Sequence, residues 1–172
     1  MRRLVLALPA LALLAGCNLT LPFDVTRDVY VTGPAGEVSY VEQVDLSAED
    51  DLWSERDKIQ ELVVDTAEVV VLSVGSGNAA EHALVSLALR PDGAPADGSA
   101  DLVLLSGADL SVARGATASV AGSPELDAFL NEALTGAGRF ALVAEVAMDG
   151  PIDARLGLRI AGSITLELLE RP

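Results

Sequence analysis

Apolar and polar positions alternate along most of this chain, most clearly over residues 156–168. There Leu156, Leu158, Ile160, Ile164, Leu166 and Leu168 face one way, while Arg155, Arg159, Ser163, Thr165 and Glu167 face the other. That period of two is the signature of a half-buried strand. The same rhythm runs through Leu62, Val64, Thr66, Val70, Leu72 and Val74. Residues 28–32 and 37–46 carry it on either side of Gly33-Pro34-Ala35-Gly36, a turn signal that predicts a hairpin. Further strands are expected at 83–89, 102–105 and 113–120, and around Phe140, Leu142, Val146 and Met148 before the turn Asp149-Gly150-Pro151. The stretch 79–88 also fits a helix, but turn residues close on both sides favour a strand.

Two segments break the alternation. Residues 123–135 read as an amphipathic helix, with Ser123 as N-cap, Pro124 at the first position and Glu125 favoured by the helix dipole. Leu126, Phe129, Leu130, Ala133 and Leu134 form its apolar stripe, and Gly136 stops it. A short helix near 51–58 follows the capping residues Ser47 to Asp51. The resulting expectation is a mainly β chain, an antiparallel β-sandwich of immunoglobulin-like size built from seven or eight short strands. It lacks the Cys…Trp…Cys signature of true immunoglobulin domains.

The amino terminus follows a different pattern. Arg2 and Arg3 precede an apolar run over residues 4–14, and Leu14-Ala15-Gly16-Cys17 closes it on small residues before the only cysteine. The run is too short to span a bilayer, which takes about 20 apolar residues. A plain secretory signal cut after Gly16 would leave a stray thiol in an oxidising compartment. The segment resembles the lipobox of bacterial lipoproteins. That resemblance implies removal of residues 1–16, with Leu14, Ala15 and Gly16 recognised by the signal peptidase. It also implies a diacylglycerol thioether on Cys17 and acylation, such as palmitate, of the new amino terminus. Each buried methylene contributes about 0.8 kcal/mol, so several chains on one residue anchor permanently. The implied address is the cell envelope, and Asn18 in place of an aspartate points to the outer membrane over the inner. Residues 17–23 would then be a lipidated tether reaching about 20 Å, and residues 24–172 a single domain.

Losing Arg2 and Arg3 leaves nine basic residues against 26 acidic ones, a net charge of −17. Such a surface repels nucleic acid and anionic headgroups. The expected partners are the membrane, through acyl chains alone, and an envelope protein. With Cys17 committed to lipid no disulfide forms, so stability rests on packing.

Candidate chemistry is sparse. His82 is the only histidine and reads as a surface or strand-end residue. Ser76 lies between Gly75 and Gly77, but Val74 and Asn78 occupy the outer positions of a Gly-x-Ser-x-Gly elbow. Gly75-x-Gly77-x-x-Ala80 has dinucleotide-fingerprint spacing without a βαβ unit, and a glycine-rich hairpin turn accounts for it better. No catalytic residue is assigned and no cofactor is expected. Asp92, Asp97 and Asp101, with Gly93 and Gly98 in one loop, are calcium candidates, and Asp45, Glu49, Asp50 and Asp51 form a second acidic cluster. Their spacing misses the calcium-loop pattern, and solvated turns are the leading account. Trp53 reads as a core plug before an interface anchor, and six aromatic residues are few for a glycan platform. The leading expectation is a non-enzymatic envelope lipoprotein acting as an interaction or structural module. The alternative is a carrier enclosing an apolar cavity of about 300–1,000 Å³ for a lipid or other hydrophobic ligand. A hydrolase comes third.

Overall fold

The computed structural model describes residues 18–48 and 53–167. The signal segment, Cys17, Glu49, Asp50, Asp51 and Leu168 lie outside the described residues. Within them are eight strands: β1 (Asn18–Gly33), β2 (Gly36–Asp45), β3 (Ile59–Val74), β4 (His82–Pro91), β5 (Leu102–Ser111), β6 (Thr117–Ala121), β7 (Arg139–Met148) and β8 (Ile152–Glu167). They form two four-stranded antiparallel sheets, one in the order β1-β8-β3-β6 and the other β2-β7-β4-β5. This is the order of a jelly roll, a long antiparallel ribbon folded over itself. The ribbon pairs β1 with β8, β2 with β7, β3 with β6 and β4 with β5. Folding it over docks β3 on β8 and β4 on β7.

The antiparallel sandwich is therefore as the alternation predicts, but several local expectations change. Gly33-Pro34-Ala35-Gly36 does not close a hairpin, because β1 pairs with β8 and β2 with β7, so this turn carries the chain between sheets. Residues 18–23 are not a tether. They are the first six residues of β1, paired in unbroken register with β8 from Asn18↔Glu167 onward. The strand expected at 113–120 begins only at Thr117, because Arg114-Gly115 turns with Gly115 at φ +86°. Of the short helix near 51–58, the described part includes a single 3-10 turn, Arg56–Lys58.

β1, β3 and β8 have sixteen residues each, whereas the strands of the second sheet have ten. At about 3.3 Å per residue, the first sheet overhangs the second by roughly 20 Å. Its overhanging inner face is apolar, with Phe23, Leu62, Ile160 and Ile164, and something must cover it. The helix Pro124–Thr135 does so, burying Leu126, Leu130 and Leu134 as its stripe predicts. Ser123 caps it, its hydroxyl accepting from Leu126 N at 3.2 Å. Phe129 is only half-buried and meets Phe140 edge-on, with ring centroids 5.7 Å apart.

A defect in β3 fastens the helix down. The register against β8 slips between Val64 and Thr66, and the Val64 N–H donates instead to the Asp127 carboxylate of the helix at 2.7 Å. Gly122 approaches the same bulge so closely that a Cβ there would collide with the Val64 carbonyl. Beyond the helix, Trp53 lies against Gly138, whose φ of +73° and contact with the indole both exclude a side chain. The Arg56 guanidinium covers the ring 4.3 Å from its centroid. Trp53 thus seals the corner after the helix as a half-buried plug.

Leu130→Ala should cost about 2–5 kcal/mol by leaving a cavity. Phe129→Ala should cost less, losing partial burial and an edge contact worth about 0.5–1.5 kcal/mol. Urea melts that rank Phe129→Ala as the more damaging would contradict this packing. Asp127→Ala should cost about 1–3 kcal/mol by orphaning the buried Val64 N–H, while Asp127→Asn, which keeps an acceptor, should recover most of that stability in the same melts.

Candidate functional site

His82 opens β4, and the chemistry-bearing side chains of the outer face of the second sheet gather around it. Its Nδ1 lies 2.9 Å from Asp109 Oδ1 on the neighbouring β5, and its register partner is Ser111. The carboxylate of Asp149 accepts from the Glu81 and His82 backbone N–H groups at 3.0 and 3.1 Å, tying the β7–β8 turn to this corner. The hydrogen bond to Asp109, then the charges of Asp109, Asp149 and Glu81, raise the His82 pKa above its ordinary value. Serine, histidine and aspartate are therefore neighbours, yet no hydrogen bond joins Ser111 to the ring. The His82 and Asp109 side chains are 56% and 64% exposed. Triad catalysis needs a nucleophile in reach of the base and preorganised oxyanion donors shielded from water, and this open sheet face supplies neither.

The glycines of the β3–β4 connection have a structural use. Asp153 of β8 projects across this loop, where a Cβ on Gly75 would strike its carboxylate and one on Gly77 would come within 3.4 Å. Gly75 N donates to the Asp153 carbonyl at 2.7 Å and Gly77 N to its carboxylate at 3.3 Å. The glycines accommodate an aspartate of the chain itself. The loop crosses from one sheet to the other and is not the expected hairpin turn. Ser76 lies in this crossing loop, on no strand-to-helix elbow.

The calcium candidates are not brought together. Asp101 gives both oxygens to Arg90, at 2.7 Å each, in the least exposed ion pair among the described residues. Asp97 accepts from the backbone and hydroxyl of its neighbour Ser99, which lowers its pKa. Asp92 is exposed at the start of the loop. Asp45 of the second cluster accepts from Ser47 and lies beside Arg139, and its pKa is lowered mainly by the Ser47 hydroxyl. No group of three metal-ligating side chains forms among the described residues.

Sequence reasoning missed the ladder of charges on the outer face of the first sheet. Arg159 reaches Asp24 on one side at 2.8 Å and Glu68 on the other at 3.2 Å. Arg155 bonds Asp28 and lies over the exposed Tyr30 ring. The alternation over 156–168 had already put Arg155 and Arg159 on the polar face, but without their partners. Only the β1-β8-β3 order makes them partners.

The apolar cavity beneath the helix, lined by residues such as Phe23, Leu62, Leu130 and Phe140, offers about 20 Å³. That is space for one water, far below an ordinary ligand pocket. No described helix is long and apolar enough to cross a membrane.

No protein-family model matches the chain, and no curated protein matches it either. Among solved structures, the chain is similar to one from Desmodium yellow mottle tymovirus (10% identity, TM-score 0.43, 95% of each chain covered). It is also similar to one from turnip yellow mosaic virus (11% identity, TM-score 0.42), covering 97% of this chain and 90% of that one. A third is the decameric BFDV capsid protein (10% identity, TM-score 0.43), covering 86% of this chain and 99% of that one. No residue role is carried over from them.

The raised pKa of His82 gives a signed prediction. The His82–Asp109 pair contributes stability below the unfolded histidine pKa, about 6.5, and loses it as pH rises through the higher folded value. An NMR titration of the lone histidine should give a pKa above 6.5 that falls back toward it in Asp109→Asn. An identical titration in the variant would show that Asp109 does not hold the ring.

Proposed function

We propose that this chain is a lipid-anchored protein of the cell envelope that acts by binding or bracing other envelope components, not by catalysis. The observation that carries this reading is Leu14-Ala15-Gly16-Cys17 behind Arg2, Arg3 and an apolar run, the pattern that resembles a lipobox. Its position outside the described residues leaves that support to the sequence. The beginning of β1 at Asn18 adds a geometric point. With no slack chain between Cys17 and the first strand, an anchor there would hold the jelly roll directly at the bilayer. Asn18 favours the outer membrane over the inner.

The filled core supports an interaction module over a carrier, because a hydrophobic ligand needs far more room than the cavity of about 20 Å³. The His82 corner, where both the ring and the Asp109 carboxylate lie open to solvent, favours a non-enzymatic role. A net charge of −17 disfavours nucleic acid as a partner and leaves the acyl chains as the membrane contact.

Intact-mass measurement of the protein purified from envelopes tests the anchor. The expected mass lacks residues 1–16 and carries a diacylglycerol and a further acyl chain on Cys17, and Cys17→Ser should abolish both processing and membrane retention. A mature chain with unmodified Cys17 would overturn the reading.

A further inference from the structure

The outer faces of the two sheets differ in kind. That of the first sheet is crossed by ion pairs, from Asp24 through Arg159 to Glu68. That of the second sheet is crossed by an apolar row. Val41 of β2 pairs with Val143 of β7, Val143 with Ala88 of β4, and Ala88 with Val103 of β5, so the row runs over all four strands. Val41 and Val103 are 58% and 63% exposed. Farther along the same face, the exposed Leu84 of β4 lies beside Ala147 of β7. The rows flanking the apolar one, Ser39-Glu145-Ser86 and Gln43-Ala141-Arg90, hold a single carboxylate and a single guanidinium, in a chain with 26 acidic residues against 11 basic ones. Contiguous apolar surface of this kind marks contact with another molecule.

The face is matched to itself. A twofold axis between β7 and β4, parallel to the strands, lays β7 of one copy on β4 of the other and β2 on β5. Leu84 then meets Ala147, Val143 meets Ala88 and Val41 meets Val103, which sets large side chains against small ones as the close packing of two sheets requires. Glu145 meets Ser86, whose hydroxyl accepts from Gly107 N at 3.0 Å and has its proton to donate. An axis along the apolar row would instead set Val143 on Val143 and Ala88 on Ala88, large on large and small on small. Area agrees. Strands of ten residues at about 3.4 Å each, four of them at a spacing of about 4.8 Å, make a face of about 650 Å². Two copies would bury about 1,300 Å², inside the range of about 1,200–2,000 Å² for stable complexes.

We propose that two copies of this chain associate through the outer face of the second sheet, about a twofold axis parallel to its strands. That axis keeps both Asn18 ends on one side of the dimer, as two chains anchored in one bilayer require. The choice of axis thus rests in part on the anchor reading, whereas the contact surface does not. At the rim, Glu37 of one copy falls opposite Asp109 of the other, a repulsion that salt screens.

Sedimentation equilibrium of the full chain in detergent tests the association. The expected result is a dimer that tightens as salt rises from about 0.05 to about 0.5 M. Val41→Glu or Val103→Lys alone should weaken it at least roughly tenfold, by taking a charge into an apolar contact. Tyr30→Glu, on the outer face of the first sheet, should leave it unchanged. Mixing the Val41→Glu chain with the Val103→Lys chain should restore the dimer, a recovery that an unfolded chain cannot show. A monomer at every concentration, a Val41→Glu dimer as tight as the unsubstituted one, or a dimer lost in Tyr30→Glu would overturn the proposal. Rescue of Val41→Glu by Val41→Lys and not by Val103→Lys would turn the axis across the strands and overturn the proposed arrangement. The expected dimer with Cys17 unmodified would end the anchor reading alone.

Discussion

The unequal length of the two sheets is the constraint on which the rest of the structure depends. A sandwich buries its inner faces only where both sheets are present, and here β1, β3 and β8 continue six residues past the strands that should cover them. The helix Pro124–Thr135 substitutes for the missing sheet. Its presence requires the N-cap at Ser123, the close passage at Gly122 and the corner closed by Trp53 on Gly138. Asp127 links this cover to the sheet, since the same carboxylate satisfies the N–H that the β3 bulge frees. Bulge and helix are one feature: without the helix, the bulge would leave a polar group unpaired at the core.

Carboxylates recur in this role. Asp45, Asp97, Asp127, Asp149 and Asp153 each accept a backbone N–H near a turn, a loop or the bulge. A chain this acidic reads as charged surface from composition alone, yet several of its aspartates hold the connections between strands. Where such bonding lowers the pKa, as for Asp45 and Asp97, the contribution is present above the unfolded carboxylate value and is lost as pH falls through the folded one. Clusters that look like cation sites in the sequence are, at Asp97 and Asp101, already occupied by Ser99 and Arg90.

How much was legible follows from how local each signal is. The faces of β8 and of the helix could be read because burial imposes a period on consecutive residues, and Ser123, Pro124 and Gly136 mark the helix ends within the chain itself. Pairing could not be read. Gly33 to Gly36 has the residues of a turn, but whether a turn joins strands of one sheet or of two depends on β7 and β8, more than a hundred residues away. The tether expected at 18–23 failed for the same reason, because Leu19, Leu21 and Phe23 acquire meaning only beside Leu166, Ile164 and Gly162. The β3 bulge leaves no sequence mark, so nothing along the chain singles out Asp127 as its partner.

The pairing of β1 with β8 also orders events in time. β1 touches no strand of its own sheet except β8, so the first strand made has no hydrogen-bonding partner until nearly the whole chain has been synthesised. Contacts this distant in sequence form slowly, and during that interval the amino-terminal segment stays extended and unfolded. The jelly roll therefore closes only once its final strand has been made, and β8, which lies between β1 and β3, completes the first sheet.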